Sequence, residues 1–141
     1  MIWRKLSDKY LVIDTSFEGV GDTVFESEYS FVRLIISLMK DALKNANGPQ
    51  TSVLDESAPT TMKELSTVIR KFCKSVQKPV LLLIDKVDKS SDNQLFLNFV
   101  GMLRELYLMR DKQGMNYTFY SVVLAGVYDI KNLKAISEEI Y

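Results

Sequence analysis

Two carboxylates, Asp85 and Asp88, follow the unbroken apolar run Val80-Leu81-Leu82-Leu83-Ile84. A carboxylate fixed on the tip of a buried strand can hold a magnesium ion, usually through water, against nucleotide phosphates. The plainer reading of the same residues is that they end a strand and solvate a turn. Two further acids stand beside apolar segments: Asp14 after Tyr10-Leu11-Val12-Ile13, and Asp129 shortly after residues 118–125. Other chemistry is narrowed by absence. The chain has no histidine and one cysteine, Cys73, so imidazole bases, His-containing zinc sites and an intrachain disulfide are excluded.

Carboxylates on separate segments meet only if the strands that carry them run parallel and end on one side. The pattern predicts this. Residues 10–14 form a short apolar run that Thr15 and Ser16 end, which reads as a strand. After Gly19 and Gly21, residues Phe31, Val32, Ile35, Leu38, Met39, Ala42 and Leu43 recur at helical steps. Residues 45–60, with Gly48, Pro49 and Pro59 among polar residues, read as a loop. Thr61 and Glu64 stand in capping-box spacing before a helix with the stripe Met62, Leu65, Ile69, Phe72 and Val76, which Lys78-Pro79 stops. Residues 80–84 then read as a strand covered on both faces. Ser91 and Gln94 suggest a second capping box, opening a helix to about Arg110 whose Leu95, Phe96, Phe99, Val100, Leu103, Leu106 and Tyr107 face a core. Residues 118–125 read as a third strand and 129–134 as the start of a last helix. This alternation predicts an α/β domain with a mostly parallel sheet, a single domain over residues 1–141. Ligands of such sheets bind beyond the carboxyl ends of the strands, here Asp14 to Ser16, Asp85 to Asp88 and Gly126 to Asp129.

The run from Pro79 to Lys134 resembles the AAA-ATPase-like family of bacterial P-loop ATPases, whose members are often followed by a nuclease-like domain. The likeness is carried by Leu82-Leu83-Ile84-Asp85-Lys86-Val87-Asp88-Lys89-Ser90-Ser91, by Asn93-Gln94-Leu95-Phe96-Leu97-Asn98-Phe99 with Gly101-Met102-Leu103-Arg104, and by Thr118-Phe119-Tyr120-Ser121-Val122-Val123-Leu124-Ala125-Gly126-Val127-Tyr128-Asp129 onward to Lys134. A weaker likeness extends from Tyr10 to Gly19. The resemblance implies a partial P-loop, three-layer fold with about three strands and flanking helices, and ATP and magnesium as the cofactors of the complete module. It places Asp85 at the Walker B aspartate that binds magnesium, and Asp88 and Asp129 as residual nucleotide contacts. Residues 119–125 would lead to the sensor region.

Two departures bear on activity. Lys86, a cation with no acceptor, stands where the family has the glutamate that orients the attacking water. A Walker A loop requires G-x-x-x-x-G-K-[ST], and none of the six glycines is followed by lysine. Gly19-Val20-Gly21 is flanked by Glu18 and Asp22, which suits a flexible turn better than a phosphate loop. Relative to the family the chain begins after the Walker A strand, and the resemblance implies a gap in the sheet between the Walker B and sensor strands, closed by repacking or by a partner. The expectation is a truncated or degenerate ATPase domain that does not hydrolyse ATP alone. The alternative is a non-enzymatic interaction module using an open sheet edge or an apolar helix face, with a second copy or a complete homologous ATPase as partner.

The remaining features have plainer readings. Arg70, Lys71, Lys74 and Lys78 suit the carbonyl end of a helix dipole, Cys73 suits a small packed hydrophobe, and Arg104 suits a salt bridge better than an arginine finger. Tyr128 and Asp129 could line the old site, or Asp129 could cap a helix. Lysine plus arginine equals aspartate plus glutamate at 18 each, so no field favours nucleic acid or an anionic membrane. The first residues lack a signal-peptide core and no apolar run approaches a membrane span, so the expected location is the cytoplasm.

Overall fold

The computed structural model describes residues 9–45, 51–76, 78–90, 92–113 and 118–126. Three strands, β1 (Leu11–Ser16), β2 (Val80–Asp85) and β3 (Ser121–Leu124), form one parallel sheet in the order β1-β2-β3. The register pairs Leu11 with Val80, Ile13 with Leu82 and Thr15 with Ile84, and continues from Leu82 to Val122 and Ile84 to Leu124. Because strand side chains alternate, these residues share one face, and all of them are buried. Thr15 is tolerated there because its Oγ1 donates to the Leu83 carbonyl at 2.7 Å.

The helices are α1 (Glu28–Asn45), α2 (Thr51–Glu56), α3 (Met62–Ser75) and α4 (Gln94–Gln113). Their buried stripes join the sheet in one core: Phe31, Ile35, Ile36 and Met39 from α1, Leu65, Ile69 and Phe72 from α3, and Phe96, Phe99 and Leu103 from α4. Both crossovers, β1 to β2 and β2 to β3, step the same way across the sheet. Right-handed connections that step the same way lay their helices on the same face. The core accordingly takes Leu82 and Ile84 from β2 and omits Leu83. Among the described residues the helices pack on this face, and on the other face Leu83 is nevertheless buried at 8% exposure and Leu81 half-buried, as the unbroken apolar run of residues 80–84 predicts.

Of the two ways expected to close the gap between the second and third strands, direct repacking is the one observed. β2 bonds β3 directly, with Leu81 opposite Ser121 and Leu83 opposite Val123. Direct closure pairs two rows of backbone groups that a gap would leave open. Backbone bonds beyond the ladder tighten it: Tyr120 N donates to Val80 O at 2.7 Å and Ala125 N to Ile84 O at 2.9 Å.

Residues 45–60 are not loop throughout, since α2 lies within them and its Leu54 is fully buried. One apolar side chain locked under α1 and α3 outweighs the surrounding turn composition. β3 is shorter than the expected 118–125, α4 runs past Arg110 to Gln113, and the helix expected over 129–134 lies outside the described residues.

The predicted box at the start of α3 forms in a shifted version. Thr61 Oγ1 accepts from Glu64 N at 3.1 Å, while Glu64 Oε1 accepts from Thr60 N at 2.8 Å and Thr60 Oγ1 at 3.0 Å. These bonds, the Thr60 backbone N–H first, hold the Glu64 carboxyl below its ordinary value. A further orphan donor, Met62 N, is satisfied by Glu28 Oε2 from the first turn of α1 at 2.8 Å.

Candidate functional site

The parallel strands bring Ser16, Asp85 and the Ala125-Gly126 segment to one end of the sheet. Ser16 and Asp85 are register partners. By alternation, Asp85 projects from the face opposite the core, together with Asp14, and both are exposed. Rigid placement comes from the backbone, since Phe17 N donates to Asp85 O at 2.9 Å and extends the ladder past the last strand residue. The Asp85 carboxylate turns toward its own chain and accepts from Lys86 N at 2.9 Å. Ser16 Oγ likewise accepts from Glu18 N at 3.0 Å.

Lys86 has φ 60°, in the left-handed region that disfavours residues with a Cβ. That conformation lets the chain reverse at the strand tip. Val87 then drops fully into the core, with its N–H on Ala125 O at 3.0 Å. Asp88 follows in a turn of 3₁₀ helix, Val87–Ser90, and is half-buried and engaged rather than free. The two acids separate: Asp85 faces solvent and Asp88 is folded into the turn. Asp129 lies outside the described residues.

The second capping box is corrected. Asn93 caps α4: its Oδ1 accepts from Phe96 N at 3.1 Å, and its Nδ2 donates to Phe25 O at 3.2 Å, while Ser91 of the expected box lies outside the described residues. Gln94 instead reaches along the helix, Nε2 to Asn98 Oδ1 at 2.8 Å. The signal was present in sequence, because asparagine directly before a helical run is a strong N-cap.

Beside this end of the sheet lies a cleft of about 430 Å³, walled by Phe17, Val20 and Phe25 and bordered by Asp22, Asp92 and Asn93. Its size is that of a small-molecule site. Its lining includes neither Asp85, Lys86 nor Asp88, and its two carboxylates oppose a phosphate. Gly19 adopts φ 79° in the turn leading to it, a conformation glycine supplies freely.

Among the described residues no three acidic or cysteine side chains gather closely enough to hold a metal by themselves. Magnesium needs only one or two protein carboxylates when phosphates supply the rest, so Asp85 suits that role alone. The phosphates would need a cradle, and no glycine-lysine sequence exists to build one. The residues present do not fit a complete ATP–magnesium group, and no reaction step is derived through it.

The other singled-out residues stand apart from this end. Cys73 is buried in α3, where desolvation pushes its thiol up to about 12, so it is a packing residue rather than a nucleophile. Lys71, Lys74 and Lys78 are exposed around the end of α3, with Lys74 in its last turn. Arg104 is exposed on the outer side of α4. No described helix is long and apolar enough to cross a membrane. Compared with family models, curated proteins and solved structures, the chain gives no match.

Proposed function

We propose that this chain is a truncated or degenerate AAA-like ATPase domain, a partial P-loop fold without its Walker A strand, that does not hydrolyse ATP alone. The observation that carries the reading is the exposed Asp85 carboxylate on the tip of the central parallel strand, where a Walker B aspartate belongs. Lys86 beside it offers a cation in place of a water-orienting acceptor. With β2 and β3 in direct contact, a strand bearing a phosphate loop would lie beside β1 or β3, the edges of the sheet among the described residues, and not between β2 and β3. ATP and magnesium belong to the complete module in this reading, with a complete homologue as one partner able to supply the missing strand.

The test is equilibrium binding of a fluorescent ATP analogue, with and without magnesium, to the chain and to Asp85→Ala. The reading expects no saturable binding to either. Magnesium-dependent binding that Asp85→Ala removes would overturn it.

A second reading, a non-enzymatic interaction module, is favoured by one observation: α4 exposes apolar side chains, with Leu97 at 41% and Leu108 at 47%.

A further inference from the structure

We infer that the cleft beside the carboxyl ends of the strands binds a small organic ammonium compound, a cation carried on an apolar or aromatic body. This goes beyond both readings above and needs neither nucleotide nor a second copy of the chain. β1 and β2 are neighbours, and the connections that leave their carboxyl ends face each other across the cleft, residues 17–25 on one side and residues 90–94 on the other. Ligands of parallel sheets bind at this end. A volume of about 430 Å³ lies toward the lower end of the small-molecule range, so the ligand is small.

The walls are fixed by the protein's own contacts. Phe17, whose N–H donates to Asp85 O, packs edge-on against Phe25 at 5.6 Å and against Phe96 at 5.9 Å. Asn93 ties the two sides together, its Nδ2 on Phe25 O across 68 residues of sequence. Val20 N donates to Phe17 O at 3.1 Å and closes the turn in which Gly19 takes its left-handed φ. Phe17 is buried, whereas Val20 and Phe25 are half-buried and keep apolar surface open to the cleft.

The polar groups select the ligand's charge. Ser90 Oγ donates to Val87 O, Asn93 is engaged by Phe96 N and Phe25 O, and Gln94 Nε2 donates to Asn98 Oδ1, so each neutral polar side chain of the lining already has a partner within the protein. Asp22 and Asp92 remain, one from each side and both exposed. A carboxylate only accepts, so its complement is a donor, and the strongest donor is a cation. Among the described residues no lysine or arginine lines the cleft, and the connection from Ser16 to Glu28 carries Glu18, Asp22, Glu26 and Glu28 with no basic residue. The field at the mouth is therefore negative and draws cations. A bare metal ion would leave the apolar wall unused, and among the described residues no three acids gather to hold one. An ammonium group at the carboxylates with its hydrocarbon body against Val20 and Phe25 satisfies both halves of the lining.

The experiment is amide-shift mapping by NMR on the isotope-labelled chain, titrated with phenethylamine, phenethyl alcohol and phenylacetate, probes of similar size that differ in charge. The expected result is saturable shifts for the amine, with a dissociation constant in the millimolar range or below, centred on the amides of Val20, Gly21 and Asn93. The alcohol should bind about tenfold more weakly and phenylacetate not at all. Asp22→Asn and Asp92→Asn should each weaken the amine about threefold and together about tenfold, the scale of exposed ion pairs. Asp41→Asn, at an exposed acid of α1 outside the lining, should leave the amine's affinity unchanged. All three positions are exposed, and unfolding midpoints check that each variant folds. No saturable shift with the amine, equal binding of the alcohol or of phenylacetate, shifts centred away from the cleft, or an affinity that the double variant leaves unchanged overturns the inference. None of these outcomes bears on the ATPase reading, which binding of the ATP analogue decides separately.

Discussion

Lys86 supplies the sharpest perturbation, because its backbone rather than its side chain is under constraint. Its φ of 60° costs a residue with a Cβ about 1–2 kcal/mol. Glycine escapes that cost but gives up roughly 0.5–1 kcal/mol in chain entropy on folding. Lys86→Gly should therefore stabilise the domain by about 0.5–1 kcal/mol. Lys86→Ala removes the side chain and keeps the constraint, so it should stay within about 0.5 kcal/mol of the parent. Lys86→Val, β-branched, should fall below both. In urea, with a slope of about 1–3 kcal/mol/M, the glycine variant should raise the midpoint by a few tenths molar at unchanged slope. A midpoint for Lys86→Gly below that of Lys86→Ala would refute the reasoning and show that the turn depends on the lysine side chain.

Four further outcomes follow from the packing and the caps. Leu82→Ala, which truncates a fully paired strand residue 2% exposed, should cost about 2–5 kcal/mol by urea unfolding. Asn93→Ala should cost about 1 kcal/mol through loss of the α4 cap. Glu64 is held below 4.5, so its contribution is present above that pH and lost as pH falls through its folded value. The stability difference between parent and Glu64→Gln should shrink on acidification. Cys73 titrates near 12 when folded against 9.0 otherwise, so the unfolded chain loses its proton first and stability should decline between those pH values. Cys73→Ala should lack that decline, and the native thiol should resist maleimide until urea exposes it.

The elements were most legible where one physical term dominated. Val80 to Ile84 could only be a strand of a parallel sheet, because five consecutive apolar residues bounded by Pro79 and Asp85 leave no polar helix face. The 3.6-residue stripes of α1, α3 and α4 were equally plain. Burial on the second face of β2 follows from the same run, and Leu83 is buried there; which helices lie on which face was hidden, because it depends on the direction of each crossover, which no single segment encodes. The short helix α2 was hidden for another reason: with Leu54 as its fully buried side chain it is too short to show a helical period, and turn-forming residues surround it. At the site, Asp85 was visible as the acid ending an apolar run. The left-handed Lys86 was hidden, since a lysine carries no mark of the turn its neighbours impose. Glu28 capping α3 was hidden as well, since the bond spans 34 residues.

The sheet edges carry a consequence for handling the protein. Among the described residues β3 pairs only on its β2 side, and Ser121, Val122, Val123 and Leu124 include neither charge nor proline to blunt the other. Val123→Lys should raise solubility, measured as the concentration at which scattering begins.

The most direct test of the central claim is phosphate release from ATP and magnesium by the purified chain, by Lys86→Glu, and by Lys86→Glu with Asp85→Ala. A glutamate at position 86 supplies no phosphate cradle, so all three should remain at the rate of buffer alone. Phosphate release by Lys86→Glu above that rate, abolished by adding Asp85→Ala, would contradict the account and show that the chain holds nucleotide without a Walker A loop.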